Sequence, residues 1–263
     1  MTRLRLMVLT LLAGTGCLAA PAAAQTAAPT APAGVSFLTR SAFHMTAERL
    51  SGDDERFVWD TNFGGNLDLV DYGRGRLAFA ANYQAILGEE FRPFDPTQGN
   101  YILEGALSVR QRRVEVAAVF YHQSRHLSDR AKRAPVDWNS LGVRVNTEGR
   151  RGPLTLGAQG DLRGVVQKSF VDYRWEGAAD GRLRYDLSTP IALVASGGLR
   201  WVGTDGTRGR DTQLGARGEG GVRFEGANAA VELFLAAERR VDPYPLQFGR
   251  ATWVTAGFRL LSR

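Results

Sequence analysis

From residue 35 onward, apolar and polar residues alternate one by one in about a dozen separate stretches. Successive side chains of a β-strand point to opposite faces, so this period of two predicts strands with one apolar and one polar face. No window shows the sustained period of 3.6 residues that marks an amphipathic helix. The chain is therefore expected to be all-β. The strands are expected at residues 35–47, 56–70, 75–88, 100–110, 113–124, 138–146, 153–165, 171–187, 191–202, 212–225, 229–239 and 250–260.

The stretch 171–187 shows the alternation most clearly. Its apolar row contains Trp175, Gly177, Ala179, Gly181, Leu183, Tyr185 and Leu187, and its polar row contains Arg174, Glu176, Asp180, Arg182, Arg184 and Asp186. Strands of soluble proteins usually have about five or six residues, whereas a tilted membrane crossing needs about 9–11. The lengths favour a membrane β-barrel over a soluble exported β-sandwich.

The apolar rows and the connections point the same way. The rows are rich in Ala and Gly, which suits contact with lipid better than an interdigitated core. Short and long connections alternate, as in barrels with short periplasmic turns and long external loops. The short ones fall at 111–113, 188–190 and 226–228, and the long ones near 89–99, 125–137, 203–211 and 240–249. We expect an antiparallel up-and-down transmembrane β-barrel of about twelve strands over residues 35–263, with aromatic residues near the strand ends.

The N-terminal residues have the pattern of a secretory signal. Arg3 and Arg5 precede an apolar run, and small residues follow up to position 24. We expect a cleaved signal peptide over 1–24, a disordered Ala/Pro/Thr linker over 25–34, and export through the Sec pathway. The expected location is the outer membrane of a Gram-negative bacterium, reached with the barrel-assembly machinery. The one cysteine, Cys17, lies in the signal segment, so the mature chain lacks disulfides, thiolate metal sites and cysteine nucleophiles.

The formal net charge of +6 raises the question of an anionic partner. The charges alternate with apolar residues along strands, and the chain is exported, so no nucleic-acid partner is expected. Membrane lipid or lipopolysaccharide is the expected partner. The external loop offers cations that could bind lipopolysaccharide phosphates or could simply be solvated: Arg125, Arg130, Lys132 and Arg133.

Three polar residues lie on the apolar rows of two consecutive strands, next to the loop that joins them. His122 and Ser124 end one strand, and Asn139 begins the next. Residues i and i+2 share a strand face, so His122 can act as a base for the Ser124 hydroxyl. Antiparallel pairing can place Asn139 opposite or diagonal to His122, where it would orient the imidazole.

This segment resembles the outer-membrane phospholipase A family over about forty residues. The matching residues are His122-Gln123-Ser124, Ser128-Asp129, Trp138-Asn139 and the upstream Asn100-Tyr101. The resemblance implies a twelve-stranded barrel with a lipid-facing His-Ser-Asn site that is active as a Ca2+-bound homodimer. Ser124 would be the nucleophile, His122 the base and Asn139 its orienting residue, and Ser128 and Asp129 would lie near the calcium ion.

The chain departs from that family directly after the serine, where Arg125-His126 replace Asn-Gly. The family's glycine helps to form the oxyanion hole. His126-Leu127-Ser128 is a second His-x-Ser pair, and small-barrel lipid A deacylases also use His-x-Ser. Alternatives are a non-enzymatic structural or ligand-binding barrel and a metal site formed by His122, His126 and Asp129. His44 lies on the charged row of the first strand and is expected to face the lumen.

Overall fold

The computed structural model describes residues 34–262. They form twelve strands that pair antiparallel with their sequence neighbours, and β1 also pairs with β12 to close the barrel. The all-β, twelve-stranded up-and-down barrel is thereby confirmed. The signal peptide predicted at 1–24 and residues 25–33 of the linker lie outside the described residues. The strands are β1 (Ser36–Leu50), β2 (Trp59–Asp71), β3 (Arg76–Gly88), β4 (Asp95–Gln111), β5 (Val114–His126), β6 (Val136–Arg151), β7 (Leu154–Ser169), β8 (Tyr173–Ser188), β9 (Ile191–Thr204), β10 (Gln213–Glu225), β11 (Ala229–Val241) and β12 (Arg250–Ser262).

Several strands are longer than the sequence pattern indicates. β4 begins at Asp95 instead of residue 100, β6 covers Val136–Arg151, and β7 continues to Ser169. The added residues lie mainly at the strand ends near the loops, where the outward row becomes polar. For β6 and β7 the extension brings Asp137 and Gln167 into paired strand, which positions both beside the candidate site.

The apolar rows face outward and the charged rows face the lumen. Leu235, Leu162 and Val254 are 66%, 63% and 62% exposed, whereas Glu176 and Glu238 are 0% and 2% exposed. In a soluble sandwich these exposures would be reversed, because the apolar rows would pack against each other. An outward apolar surface around an enclosed polar interior is the arrangement of a transmembrane barrel.

Ion pairs connect several strands inside the lumen. Arg217 contacts Glu48 at 2.9 Å and Glu238 at 3.0 Å, and Arg240 contacts Glu238 and Asp60, each at 2.6 Å. Buried charges are tolerated when oppositely charged partners and hydrogen bonds compensate their loss of hydration. The residues come from β1, β2, β10 and β11, so these contacts brace the interior between strands that are distant in sequence. His44 is buried on the same side, with Nε2 3.1 Å from Asn82 Oδ1.

The connections follow the predicted alternation of short and long except at 170–172, which is as short as the turns at the opposite end. Five short ones lie at one end (72–75, 112–113, 152–153, 189–190 and 226–228), and the other end carries 51–58, 89–94, 127–135, 170–172, 205–212 and 242–249. These outer loops cover the mouth of the barrel. Arg210 lies between Asp172 and Asp242, with contacts of 2.7 Å to each, and Tyr173 also donates to Asp242 at 2.8 Å.

Within residues 34–262, no helix is long and apolar enough to cross a bilayer.

Candidate functional site

The residues selected from the sequence lie on the lipid-facing surface of β5 and β6, close to the outer loops. His122 is directly opposite Asn139, and Ser124 is directly opposite Asp137. All four side chains are half-exposed. Towards the membrane, the neighbouring outward side chains are apolar and exposed: Leu103, Phe120 and Leu141. The four polar residues therefore form a cluster where the apolar outward surface meets the outer loops.

His122 is held by a directed series of side-chain hydrogen bonds. Its Nδ1 lies 2.7 Å from Asn139 Oδ1, and Asn139 Nδ2 donates to Gln167 Oε1 at 2.6 Å. Gln167 Nε2 in turn donates to Asp137 Oδ1 at 3.1 Å. Because the Asn139 nitrogen is committed to Gln167, its oxygen faces the imidazole and Nδ1 must carry the proton. Nε2 of neutral His122 then has a free lone pair, as a general base requires.

The hydroxyl of Ser124 is paired with the next histidine along the strand. Its Oγ lies 3.3 Å from His126 Nε2, and no hydrogen bond within residues 34–262 joins it to His122. The His126 ring packs edge-on against Tyr101, with ring centroids 5.4 Å apart and an interplanar angle of 83°. Ser124 therefore lies on one strand face between two imidazoles, one of which is oriented by Asn139.

Sequence reasoning missed Gln167, Asp137 and the contact between Ser124 and His126. Gln167 lies beyond the predicted end of its strand at residue 165, and a register shift between Asn139 and Ser140 sets it opposite Asn139. Asp137 shares the outward row of Asn139, two residues earlier, and this spacing could have identified it. The second His-x-Ser pair is divided between strand and loop, since β5 ends at His126.

Ser128 and Asp129 lie in the loop after β5, and both are exposed. Asp129 Oδ2 accepts a hydrogen bond from Arg92 Nη2 at 3.2 Å, so its charge is already compensated. Calcium takes six to eight oxygen ligands. Residues 34–262 contain no group of three or more His, Cys, Asp or Glu side chains that could hold a metal ion. Two ligands are too few for a calcium ion, and the calcium role of Ser128 and Asp129 stays a prediction. Among residues 34–262, His122, His126 and Asp129 do not come together as a group that could hold a metal ion.

Three of the four basic residues noted near this loop contact other groups of the chain, and Arg133 is exposed. Arg125 is on the inward row, and its guanidinium donates to the carbonyls of Asp242 and Pro243 at 2.7 and 2.8 Å. Arg130 is paired with Glu90 and Asp95. Lys132 Nζ donates to the carbonyl of Arg125 at 2.8 Å. Strand alternation turns Arg125 to the lumen, and binding of lipopolysaccharide phosphates by the remaining cations stays a prediction.

No protein-family model and no curated protein matches the chain. Among solved structures, outer membrane phospholipase A from Escherichia coli is similar, with 13% identity and a TM-score of 0.53 over 84% of this chain and 96% of that chain. The Salmonella typhi outer membrane phospholipase dimer with bound calcium has the same identity and TM-score, over 84% and 90%. A KdgM porin is similar at 6% identity and a TM-score of 0.47, over 83% and 97%. At these identities the similarity shows the fold alone, which is that of an outer-membrane β-barrel.

Proposed function

We propose that this chain is an integral outer-membrane protein of a Gram-negative bacterium that hydrolyses lipid acyl esters at the outer leaflet, in the manner of a phospholipase A. Ser124 is the nucleophile, His122 the general base and Asn139 its orienting residue. The observation that carries the proposal is the 2.7 Å hydrogen bond between His122 Nδ1 and Asn139 Oδ1 on the lipid-facing surface. It fixes the tautomer in which Nε2 can accept the serine proton.

In the reaction, Ser124 Oγ attacks the carbonyl carbon of the ester and gives its proton to His122 Nε2. A weak hydroxyl nucleophile needs such a base, which contributes roughly 10²–10⁴-fold to the rate. The ester bond then breaks, and the proton on His122 passes to the departing alcohol oxygen. Water next attacks the acyl-Ser124 ester and gives a proton to His122; the bond from the acyl carbon to Ser124 Oγ then breaks, His122 returns the proton to Oγ, and a fatty acid is released. For the first step the Ser124 hydroxyl must turn from His126 towards His122, a rotation about a single side-chain bond.

The position of the site supports a membrane lipid as substrate. Phe120 and Leu141 are paired with each other on the same outward face, two residues further into the membrane than His122 and Asn139. An acyl chain lying along this surface would place its ester near the outer rim, where the surface becomes polar. Phospholipid and the acyl esters of lipopolysaccharide share this chemistry, so either could be the substrate.

The similar Salmonella typhi structure is a dimer with bound calcium. A calcium-bound homodimer of the present chain would need oxygen ligands from a second copy, because Ser128 and Asp129 alone supply too few. Fatty-acid release and sedimentation should be compared in CaCl2 and in EDTA. Activity in EDTA from a protein that sediments as a monomer would exclude calcium and dimerisation as requirements.

The proposed function is tested by fatty-acid release from phospholipid and lipopolysaccharide in mixed detergent micelles. We expect Ser124→Ala and His122→Ala to lower kcat by at least about 10³-fold, because the nucleophile and base act as one unit. Ser41→Ala is the matched control, since Ser41 is an exposed serine on β1. Each variant must show the faster migration of a folded barrel on unheated gels. Retained activity in folded Ser124→Ala or His122→Ala would end the hydrolase proposal.

A second candidate function is a non-enzymatic barrel whose ion-paired interior gives it a structural role. It is favoured by the contact of Ser124 with His126 in place of His122. Absence of fatty-acid release from every lipid class, with folded protein inserted in vesicles, would support this function over hydrolysis.

A further inference from the structure

The backbone around Ser124 offers little to an oxyanion. Attack on an ester places negative charge on the carbonyl oxygen, and serine hydrolases stabilise it with N–H donors aimed at that position. Ser124 is paired with Tyr101 on one side and Asp137 on the other, and Arg125 with Asn100 and Val136. In a strand paired on both sides, the N–H groups are used by the ladders.

The Arg125 guanidinium is also committed elsewhere. It is 7% exposed, lies on the lumen side of the barrel wall, and donates to two loop carbonyls, those of Asp242 and Pro243. A cation that faces the interior cannot contact an ester on the outer surface, because successive residues of a strand point to opposite faces. Side chains on the outward row of β5 and of its neighbours can reach the ester, because they share the face of Ser124.

His126 lies on this row next to Ser124. Its Nε2 lies 3.3 Å from Ser124 Oγ, on the side of the serine opposite to His122 in the strand. An ester carbon bonded to Oγ would bring its carbonyl oxygen into the same space. The imidazole is held there by its edge-on contact with Tyr101, which itself is paired with Ser124 across the β4–β5 ladder.

The distribution of protons supports the same role. His122 Nδ1–H donates to Asn139, so His122 Nε2 is the acceptor for the Ser124 proton. Once the Ser124 hydroxyl has turned to donate to His122, His126 can contact the developing ester oxygen only as a donor, which requires a hydrogen on Nε2. A neutral imidazole in that tautomer is a donor. The contact of Asn139 with His122 therefore gives His122 the role of proton acceptor and leaves His126 the role of donor.

We propose that His126 is a catalytic residue, whose Nε2–H donates to the ester carbonyl oxygen as that oxygen becomes negative. This inference rests on the proposed function. As the Oγ–carbon bond forms, the C=O electron pair moves to oxygen and the serine proton moves to His122 Nε2. When the tetrahedral intermediate breaks down, the C=O bond reforms and the ester C–O bond breaks. His122 then gives the proton to the departing alcohol oxygen. His126 keeps its own proton throughout.

The variant His126→Gln distinguishes a hydrogen-bond donor from a general base at this position. A glutamine amide nitrogen can replace imidazole Nε2–H as a donor, but the amide cannot accept a proton. We expect His126→Ala to lower kcat by about 10²–10³-fold, as loss of one oxyanion donor does. KM should change little, and the pH dependence of kcat should keep its shape because the base is intact. His126→Gln should restore activity to within about tenfold of wild type, whereas His122→Gln, the matched control, should be as inactive as His122→Ala.

The outcomes distinguish the two proposals. A folded wild type that releases no fatty acid overturns the proposed function, and the oxyanion role falls with it. If the wild type is active and depends on Ser124, full activity of His126→Ala overturns only the oxyanion role. Equal inactivity of His126→Gln and His126→Ala would show that hydrogen-bond donation alone does not explain the need for His126, and it would overturn the oxyanion role. A change in KM or thermal stability that matches the loss of activity would indicate a structural role instead.

Discussion

His122 and Asn139 are 17 residues apart in sequence, yet their side chains meet at 2.7 Å across the β5–β6 ladder. The contact forms in only one pairing register of β5 with β6. A shift by one residue would turn Asn139 to the lumen and replace it with Trp138 or Ser140. The buried face of β6 prevents that shift, because Trp138 is 1% exposed and donates to Glu176 inside the barrel. The packing of the interior therefore sets the geometry of the outer surface.

The partner of Asn139 should influence catalysis without contacting the substrate. Gln167→Ala removes the acceptor for Asn139 Nδ2, and the amide can then rotate away from His122. A typical net hydrogen bond contributes about 1 kcal/mol, so we expect kcat to fall about fivefold with KM unchanged. Gln167→Glu combined with Asp137→Asn reverses the second hydrogen bond but keeps the acceptor for Asn139, so it should recover the lost rate. An uncorrected or deeper loss in this double variant would argue against an orienting role.

The lumen ion pairs should contribute strongly to stability. Arg217 is 8% exposed and contacts Glu48, Glu219 and Glu238. Arg217→Ala leaves three buried carboxylates without this cation, and loss of one partner of a buried pair costs about 3–5 kcal/mol. The free energy of unfolding in urea, measured in vesicles, should fall by that amount. Arg133→Ala, in an exposed loop position, is the control and should leave it unchanged. An equal effect of both variants would contradict the role of the network.

A charged side chain on the outward face should destabilise the inserted barrel. Leu235 lies midway along β11 and is 66% exposed, which in this barrel means contact with lipid. We expect Leu235→Arg to destabilise the inserted barrel by about 2–4 kcal/mol, the depth-dependent penalty for arginine near the bilayer midplane. Ala131→Arg, in an exposed outer loop, should have little effect. If Leu235→Arg is neutral in vesicles, the apolar rows do not face acyl chains.

The loop 205–212 should respond to acid through Asp205. Hydrogen bonds from Lys168 and Thr207 lower the pKa of the Asp205 carboxyl below its ordinary value. A carboxyl whose folded pKa is depressed stabilises the folded loop above its unfolded pKa of about 4, and the effect is lost as the pH falls towards the folded pKa. Titration of the Asp205 side-chain carbon by NMR should give a midpoint below 4, and Lys168→Met should raise it. An unchanged midpoint in Lys168→Met would show that the lysine is not the cause.

The sequence predicts the number of strands and which side chains of each strand point outward, because both follow from the period of two. It predicts strand ends less well at the outer rim, where outward residues become polar and resemble loop. Asp137 and Gln167 are examples, and both lie within the extended strands β6 and β7. The facing of Arg125 could have been inferred, since it follows an outward serine. The pairing of Gln167 with Asn139 could not, because it depends on a register shift between Asn139 and Ser140 that no residue type marks.

The candidate site lies on the outer wall of the barrel, on the opposite side of the strands from the ion pairs of Arg217 and Arg240. In the proposed reaction a fatty acid and a lysolipid would form at the lipid surface beside β5, so they would disperse sideways within the leaflet that supplied the substrate. Turnover on this surface then depends on two-dimensional exchange of lipids around the perimeter of the barrel, and it should slow when the surrounding membrane becomes gel-like.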